Sequence, residues 1–269
     1  MILTVFTPTY NRAHLLPRLY ASLCAQTNQN FIWLVVDDGS ADGTSQLVHD
    51  WMQEPHAFRM EYIYKENGGM HTAHNAAYAY ITTEINTCID SDDRMPPEAV
   101  ESILAFWATC RDDDTIAGFL GLDTDFAGNR IGTPFPEGIP CARYYDYYNT
   151  YGVRGDKKFV IRSAVARLYP YPVFPGEKYI GLNLKYLQLD KHYLWRSTNT
   201  VLVQVEYQPD GSSRNMWKQY RSSPRGFLHY RRVLMGLPFV SAGFRLRQAL
   251  HCLPEAFFWL CRILHRGGR

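Results

Sequence analysis

INTCIDSDD, residues 85–93, places three carboxylates, Asp90, Asp92 and Asp93, within four residues, directly after a short apolar run. Like charges this close repel one another unless a cation joins them. The stretch is therefore either a solvated acidic turn or a cation site at the end of a strand. Its surroundings bear on the choice. Upstream, residues 2–6 (ILTVF), 31–36 (FIWLVV) and 60–64 (MEYIY) also read as strands. Between them lie helical patterns over 15–23, 44–52 and 71–81, with Asn11 placed to cap the first. A fourth helix, opened by prolines and Glu98, is expected over 97–109. Strictly alternating strands and helices predict an α/β fold with a mostly parallel sheet covered by helices.

Each of the four strands runs into a polar, turn-forming cluster: TPTYNR (7–12), DDGSADGT (37–44), KENGGMH (65–71) and DSDD (90–93). In an open α/β sheet, ligands bind outside the carboxyl ends of the strands. All four clusters fall on that edge, which favours one shared site over four unrelated turns. There is no GxGxxG at the first helix and no GxxxxGK[ST], so a glycine loop does not hold phosphates here. A D-x-D after a strand is the other solution, because a divalent metal bound by carboxylates can in turn bind a diphosphate. Asp90 and Asp92 suit this, since residues i and i+2 of extended chain point to one side.

The four clusters, in this order and spacing, closely resemble the nucleotide-binding half of the family 2 glycosyltransferases, over about residues 1–125 and more loosely to about 210. The resemblance implies a GT-A, Rossmann-like fold, a nucleotide-sugar donor (UDP-linked) and a divalent metal, Mn²⁺ or Mg²⁺. It implies Thr7, Pro8 and Tyr10 as the wall that receives the base, with Arg12 also on the donor side. Asp38, beside Asp37, would accept the imide hydrogen of the base. Lys65, Asn67 and Gly69 would meet ribose and phosphates, and Asn75 the sugar nucleotide. Asp90, with Ser91 beside it, would touch ribose or donor sugar, and Asp92 would be the principal metal ligand, joined by Asp90. Asp93 is either part of this set or a cap for the following turn.

Attack of an acceptor hydroxyl on the anomeric carbon needs a base. In the family this acid opens a helix in the second half, and Glu177 in FPGEKYIG fits. The common second acid of that pair is replaced by Lys178, and Asp156 in RGDKK is the alternative. The reaction implied is an inverting transfer to a saccharide or lipid-linked saccharide in polysaccharide biosynthesis. Around this acceptor half, residues 116–122 and 157–162 read as strands, 125–132 as a hairpin at Gly128-Asn129, and 168–181 as a Pro/Tyr-rich loop leading into a helix. The tyrosines of 144–151 and 169–171 are either a sugar platform or ordinary packing. His71 and His74, three apart in a donor-side helix, are possible ligand contacts. A nucleotidyltransferase would carry a Gly/Arg/Lys-rich loop where TPTYNR stands. A degenerate sugar-nucleotide-binding or membrane scaffold is opposed by the intact Asp38, Asp90 and Asp92.

The chain has 269 residues and a net charge of +2, unevenly spread. After residue 210 there are 11 Lys/Arg and one acid, Glu255, while the first 210 residues hold 17 bases and 25 acids. The chain divides into a catalytic domain, 1–210 (donor half 1–125, acceptor half 126–210), and a basic tail, 211–269. In the tail Leu246, Leu250, Leu253, Phe257, Leu260 and Leu264 form one helical stripe flanked by Arg245, Arg247, Arg262, Arg266 and Arg269, with Pro254 expected to kink it. That pattern predicts a helix lying on an anionic membrane surface, against the alternative of a helix packed on the catalytic domain. No nucleic-acid-reading module is present, and no run reaches the length that spans a bilayer. Six scattered cysteines without a CxxC pair, and an N-terminus that enters a strand at once, predict free thiols and a cytoplasmic, membrane-peripheral protein.

Overall fold

The computed structural model describes residues 1–208 and 216–266, with 262–266 described by backbone alone. Seven strands form one sheet: β1 (Leu3–Thr9), β2 (Phe31–Asp37), β3 (Arg59–Tyr64), β4 (Ile85–Cys88), β5 (Ile116–Asp125), β6 (Lys157–Arg162) and β7 (Leu194–Val205). Their order is β3-β2-β1-β4-β6-β5-β7. The first four pair in parallel, as do β5 and β7, and β6 runs antiparallel to both its neighbours. β1 and β2 are buried at every residue, which is why they read as unbroken apolar runs rather than alternating ones. The edge strand β3 is only half-buried.

The helices are α1 (Leu16–Cys24), α2 (Thr44–Gln53), α3 (Met70–Tyr80), α4 (Ala99–Ala108), α5 (Tyr144–Asn149), α6 (Ser163–Ala166), α7 (Asn183–Leu189), α8 (Met216–Ser222), α9 (Pro224–Met235) and α10 (Ala242–Arg266). Strand alternation divides the core in two. Leu3, Val5, Trp33 and Val35 meet Leu16, Leu19, Trp51, Ile103 and Trp107 from α1, α2 and α4 on one face. Phe6, Leu34 and Val36 meet Ala73, Ala77, Tyr78 and Leu184 from α3 and α7 on the other.

One expectation is corrected. Asn11 does not cap α1. It sits at φ 52, its carboxamide accepts the Ala41 N–H, and the helix begins later, after Leu15, with a proline in its first turn. β7, a 12-residue strand, goes unread in the sequence although Val201, Val203 and Val205 alternate there. α10 runs continuously through Pro254, where the kink is expected. The reading of 125–132 as a tight turn agrees with the structure: Asp125 accepts the Ala127 and Asn129 N–H groups, and Thr124 bridges Arg130. Strands from both predicted halves share the sheet. The end of α9 and the turn after it pack on the catalytic body through Leu234, Leu237 and Val240 against Tyr145 and Leu187. The predicted boundary at 210/211, the side chains of Arg262, Leu264 and Arg266, and Arg269 lie outside the described residues.

Candidate functional site

The loops after β1 and β2 are stitched together: the Asn11 N–H bonds the Ser40 hydroxyl at 2.9 Å, and the Ala41 N–H bonds the Asn11 carboxamide at 2.8 Å. Asp37 is fully buried and structural, with one oxygen accepting the Ser40 N–H and the other the Tyr62 hydroxyl. Asp38 organises the next loop, accepting the Gly68 N–H (3.0 Å), the Gly69 N–H (2.8 Å) and the Lys65 ammonium. Gly69 lies at φ +94, and a Cβ there would collide with the carbonyl oxygen of Lys178. The close approach that this glycine permits is therefore made by the 174–181 loop of the protein itself. Asn67 accepts a bond from the Lys178 ammonium. Asn75 gives both ends of its amide to the backbone of Tyr171, at 2.8 Å each. Thr7 is buried against the Trp33 indole N–H, while Tyr10 is exposed. Of this set, Pro8 and Arg12 line a cavity beside the β4 end; Thr7, Tyr10, Asp37, Asp38, Lys65, Asn67, Gly69 and Asn75 do not.

That cavity, about 460 Å³, opens at the carboxyl end of β4. Asp90, Ser91, Asp92, Asp93, Asp123 and Asp156 all line it. Arg18 of α1 fixes the acidic loop by bonding the Asp92 carbonyl oxygen while pairing with Glu206 at 2.9 Å. Asp93 accepts the Glu206 N–H, which gives it a tethering role. Burial first, then the Asp90 charge, pushes Asp92 up to about 6. Burial likewise pushes Asp93 up to about 8, with Lys158 opposing and Asp90 and Asp92 adding to it. Asp123 is raised to about 6 by burial, again against Lys158. Lys158, bonded to the Cys88 carbonyl, stays charged because Asp123, Asp93 and Asp90 outweigh its own desolvation.

This is a site with more negative charge than its own cations neutralise. One buried oxygen of Asp123 has no hydrogen-bond partner among the described residues. Among those residues no three His, Cys, Asp or Glu side chains are grouped to hold an ion by themselves. One or two carboxylates, with the remaining positions left to phosphate oxygens and water, is how Mg²⁺ and Mn²⁺ are commonly bound. Asp92 and Asp90 fit that chemistry.

A family model described as Glycosyl transferase family 2 matches residues 4–173. The chain belongs to glycosyl transferase family 2. A Streptococcus pneumoniae protein, Glycosyltransferase GlyA, is 26% identical over 232 residues, covering 81% of this chain and 32% of that protein. An undecaprenyl-phosphate 4-deoxy-4-formamido-L-arabinose transferase of an Enterobacter species is 29% identical over 105 residues, 38% of this chain and 32% of its own length. The chain thus spans about a third of these curated relatives. Among solved structures, residues 1–349 of S. aureus TarS in complex with UDP-GlcNAc superpose with a TM-score of 0.68 at 17% identity, covering 96% of this chain and 73% of that one. The mannosyltransferase PcManGT of Pyrobaculum calidifontis, with GDP-Man and Mn²⁺, gives 0.58 at 18% identity, covering 95% and 71%. The fold is GT-A.

In this family 2 chain the two candidate bases stand in different places. Asp156 is on the cavity wall, where it accepts the Tyr207 hydroxyl at 2.8 Å. Glu177 is buried and accepts the Arg225 N–H (3.2 Å) and Gly226 N–H (2.9 Å) at the start of α9, and it does not line the cavity. Tyr144 and Tyr148 reach the cavity, whereas Tyr171 is buried and bonds the Leu182 carbonyl. His74 lines the cavity from below, held neutral by burial, which pushes it down to about 3. Lys158, Asp123, Arg18 and Tyr207 were missed in the sequence. Asp123 alone carried a signal there, as a carboxylate at the carboxyl end of the fifth strand.

Proposed function

We propose that this chain is an inverting glycosyltransferase that moves a sugar from a UDP-linked donor to a hydroxyl of a saccharide, free or carried on lipid, in polysaccharide assembly. The observation that carries this reading is the shared cavity: Asp90 and Asp92, just beyond the carboxyl end of β4, and Asp156 all line it. Asp92, with Asp90, is the carboxylate set for a Mn²⁺ or Mg²⁺ ion, which when bound supplies Lewis-acid neutralisation of the departing diphosphate. Pro8 and Arg12 flank that end of the cavity, and Arg18 keeps the acidic loop in place through backbone. Asp38 meets the base with the one lone pair, on Oδ2, that Lys65, Gly68 and Gly69 leave, and an imide N–H is the partner that suits it. TarS, which shares the fold, is known with UDP-GlcNAc, in line with a uridine donor.

In this reading Asp156 takes the proton from the acceptor hydroxyl as its oxygen attacks the anomeric carbon and the diphosphate departs; its position on the cavity lining supports that role. A single in-line displacement needs one such base, and the tyrosines beside it offer a polar, aromatic bed for a sugar ring. Glu177 acts by holding the 174–181 loop to α9. Calorimetric titration with UDP, GDP and dTDP, each with and without Mn²⁺, tests the donor site. UDP binding that requires the metal and disappears in Asp92→Ala is expected. Binding of another diphosphate under the same dependence would overturn the base assignment, and no binding of any would overturn the transferase reading.

A further inference from the structure

α10 is turned the opposite way from a helix that completes a core. Apart from Phe244, which packs on Tyr145 at its start, the side chains it buries are polar: Gln248 and Glu255 are both bonded by Arg231, at 2.7 Å and 3.2 Å. The face it leaves uncovered is apolar. Leu246, Leu250, Leu253, Phe257 and Leu260 are 64%, 58%, 67%, 62% and 55% exposed, with Trp259 beside them. The alternative drawn from sequence, an apolar stripe packed on the catalytic domain, is thereby excluded for these residues. Contiguous exposed apolar surface of this kind marks an interaction site.

The charge around the stripe says what covers it. Residues 216–261 contain seven Lys/Arg and one acid, Glu255, which is buried against Arg231. Arg245 and Arg247 lie one residue to either side of Leu246 on the helix, both exposed, so they border the stripe on its two flanks. Lys218, Arg221 and Arg232 are exposed on the neighbouring helices, and Trp217 of α8 is 75% exposed. A second copy of the chain docked stripe to stripe would bring two sets of arginines together. An anionic lipid surface would neutralise them and receive the leucines and tryptophans at headgroup depth. No described helix is long and apolar enough to cross a membrane, so contact is made by lying on the surface. We propose that α10 seats its Leu246–Leu260 stripe in plane at the interface of a membrane rich in anionic lipid. This goes beyond the transferase reading and stands without it.

The test is co-sedimentation of the full chain with vesicles of phosphatidylglycerol and phosphatidylethanolamine, and with vesicles of phosphatidylcholine alone. Wild type is expected to pellet with the anionic vesicles, to be released by high salt, and to blue-shift its tryptophan fluorescence on binding. Leu250→Ser with Leu253→Ser should weaken partitioning by at least about tenfold, since two buried leucines are lost. Arg245→Gln with Arg247→Gln should weaken it selectively for the anionic vesicles. Because all four side chains are exposed, unchanged circular dichroism is expected in both variants. Wild type left in the supernatant with anionic vesicles would overturn the proposal. So would leucine variants that bind as wild type does. A wild-type dimer that the leucine variants convert to a monomer, without vesicle binding, would overturn it in favour of self-association.

Discussion

Replacing Glu177 and Asp156 in turn tests the proposal that the first holds a loop and the second is the base. Glu177 accepts two backbone N–H groups at the positive end of α9, one of them on buried Gly226. Hydrogen bonds to a charged group contribute about 1.5–3 kcal/mol each, and a carboxylate at a helix N-terminus adds about 0.3–1 kcal/mol. Allowing for overlap between these, Glu177→Ala should cost about 3 kcal/mol, equivalent to a fall of roughly 6–12 °C in Tm for a chain of this size. Glu177→Gln keeps one acceptor oxygen and should cost about half as much. At a temperature where each variant is folded, both should retain turnover within about tenfold of wild type. Asp156→Asn should do the reverse. Its side chain is exposed and loses one bond to Tyr207, so Tm should move by less than about 3 °C, while turnover falls about 10²–10⁴-fold with the loss of a general base. The assay pairs thermal unfolding by circular dichroism with UDP release from a panel of UDP-sugars. Glu177→Gln that folds as wild type does but has lost turnover, beside an active Asp156→Asn, would refute the assignment.

Three further outcomes are expected. Gly69→Ala forces a positive φ on an L side chain and a collision with the Lys178 carbonyl, so it should lower stability by about 2–4 kcal/mol in urea titration and weaken UDP binding. Lys158→Met removes the cation among Asp90, Asp93 and Asp123 and should cost about 3 kcal/mol at pH 7, a loss that chemical denaturation measures and that shrinks at pH 5 as the carboxylates protonate. His74, buried and pushed down to about 3, is neutral in the fold but protonates in the unfolded chain below about 6.5. Its folded pKa is depressed, so the unfolded state binds the extra proton and stability falls as pH drops through the window from about 6.5 to 3. The slope is about 1.4 kcal/mol per unit, and denaturation curves of His74→Gln should lack that component.

The first strands were legible because β1 and β2 are buried on both faces and the turns after the first four strands carry their own chemistry. INTCIDSDD alone, read with three similar strand ends, gave the sheet edge and the acidic wall. What the sequence hid was direction. Asp37, Thr7 and Asn75 stand in the right motifs, yet their polar atoms are spent on Tyr62, Trp33 and Tyr171. Glu177 follows a Pro/Gly loop in the manner of a base, but the helix that captures it, α9, lies 47 residues further along and no local pattern announces the contact. β6 is the converse case. KKFVIR was read as a strand, while its antiparallel insertion between β4 and β5, which delivers Lys158 to the acids, is a long-range pairing. The stripe of α10 was plain in the sequence, and only the structure told which way it faces.

The contacts of Asn75 with Tyr171, of Gly69 with the Lys178 carbonyl and of Asn67 with the Lys178 ammonium all join residues 67–75 to residues 171–178. They bear on how such chains can be recombined. A chimaera cut near residue 125, taking the rest of its chain from another sequence, would inherit a 174–181 loop shaped for different partners in residues 67–75. The exchangeable unit is instead residues 126–208 together with the 65–75 turn and helix start, so that glycine, amide and carbonyl travel as one matched set.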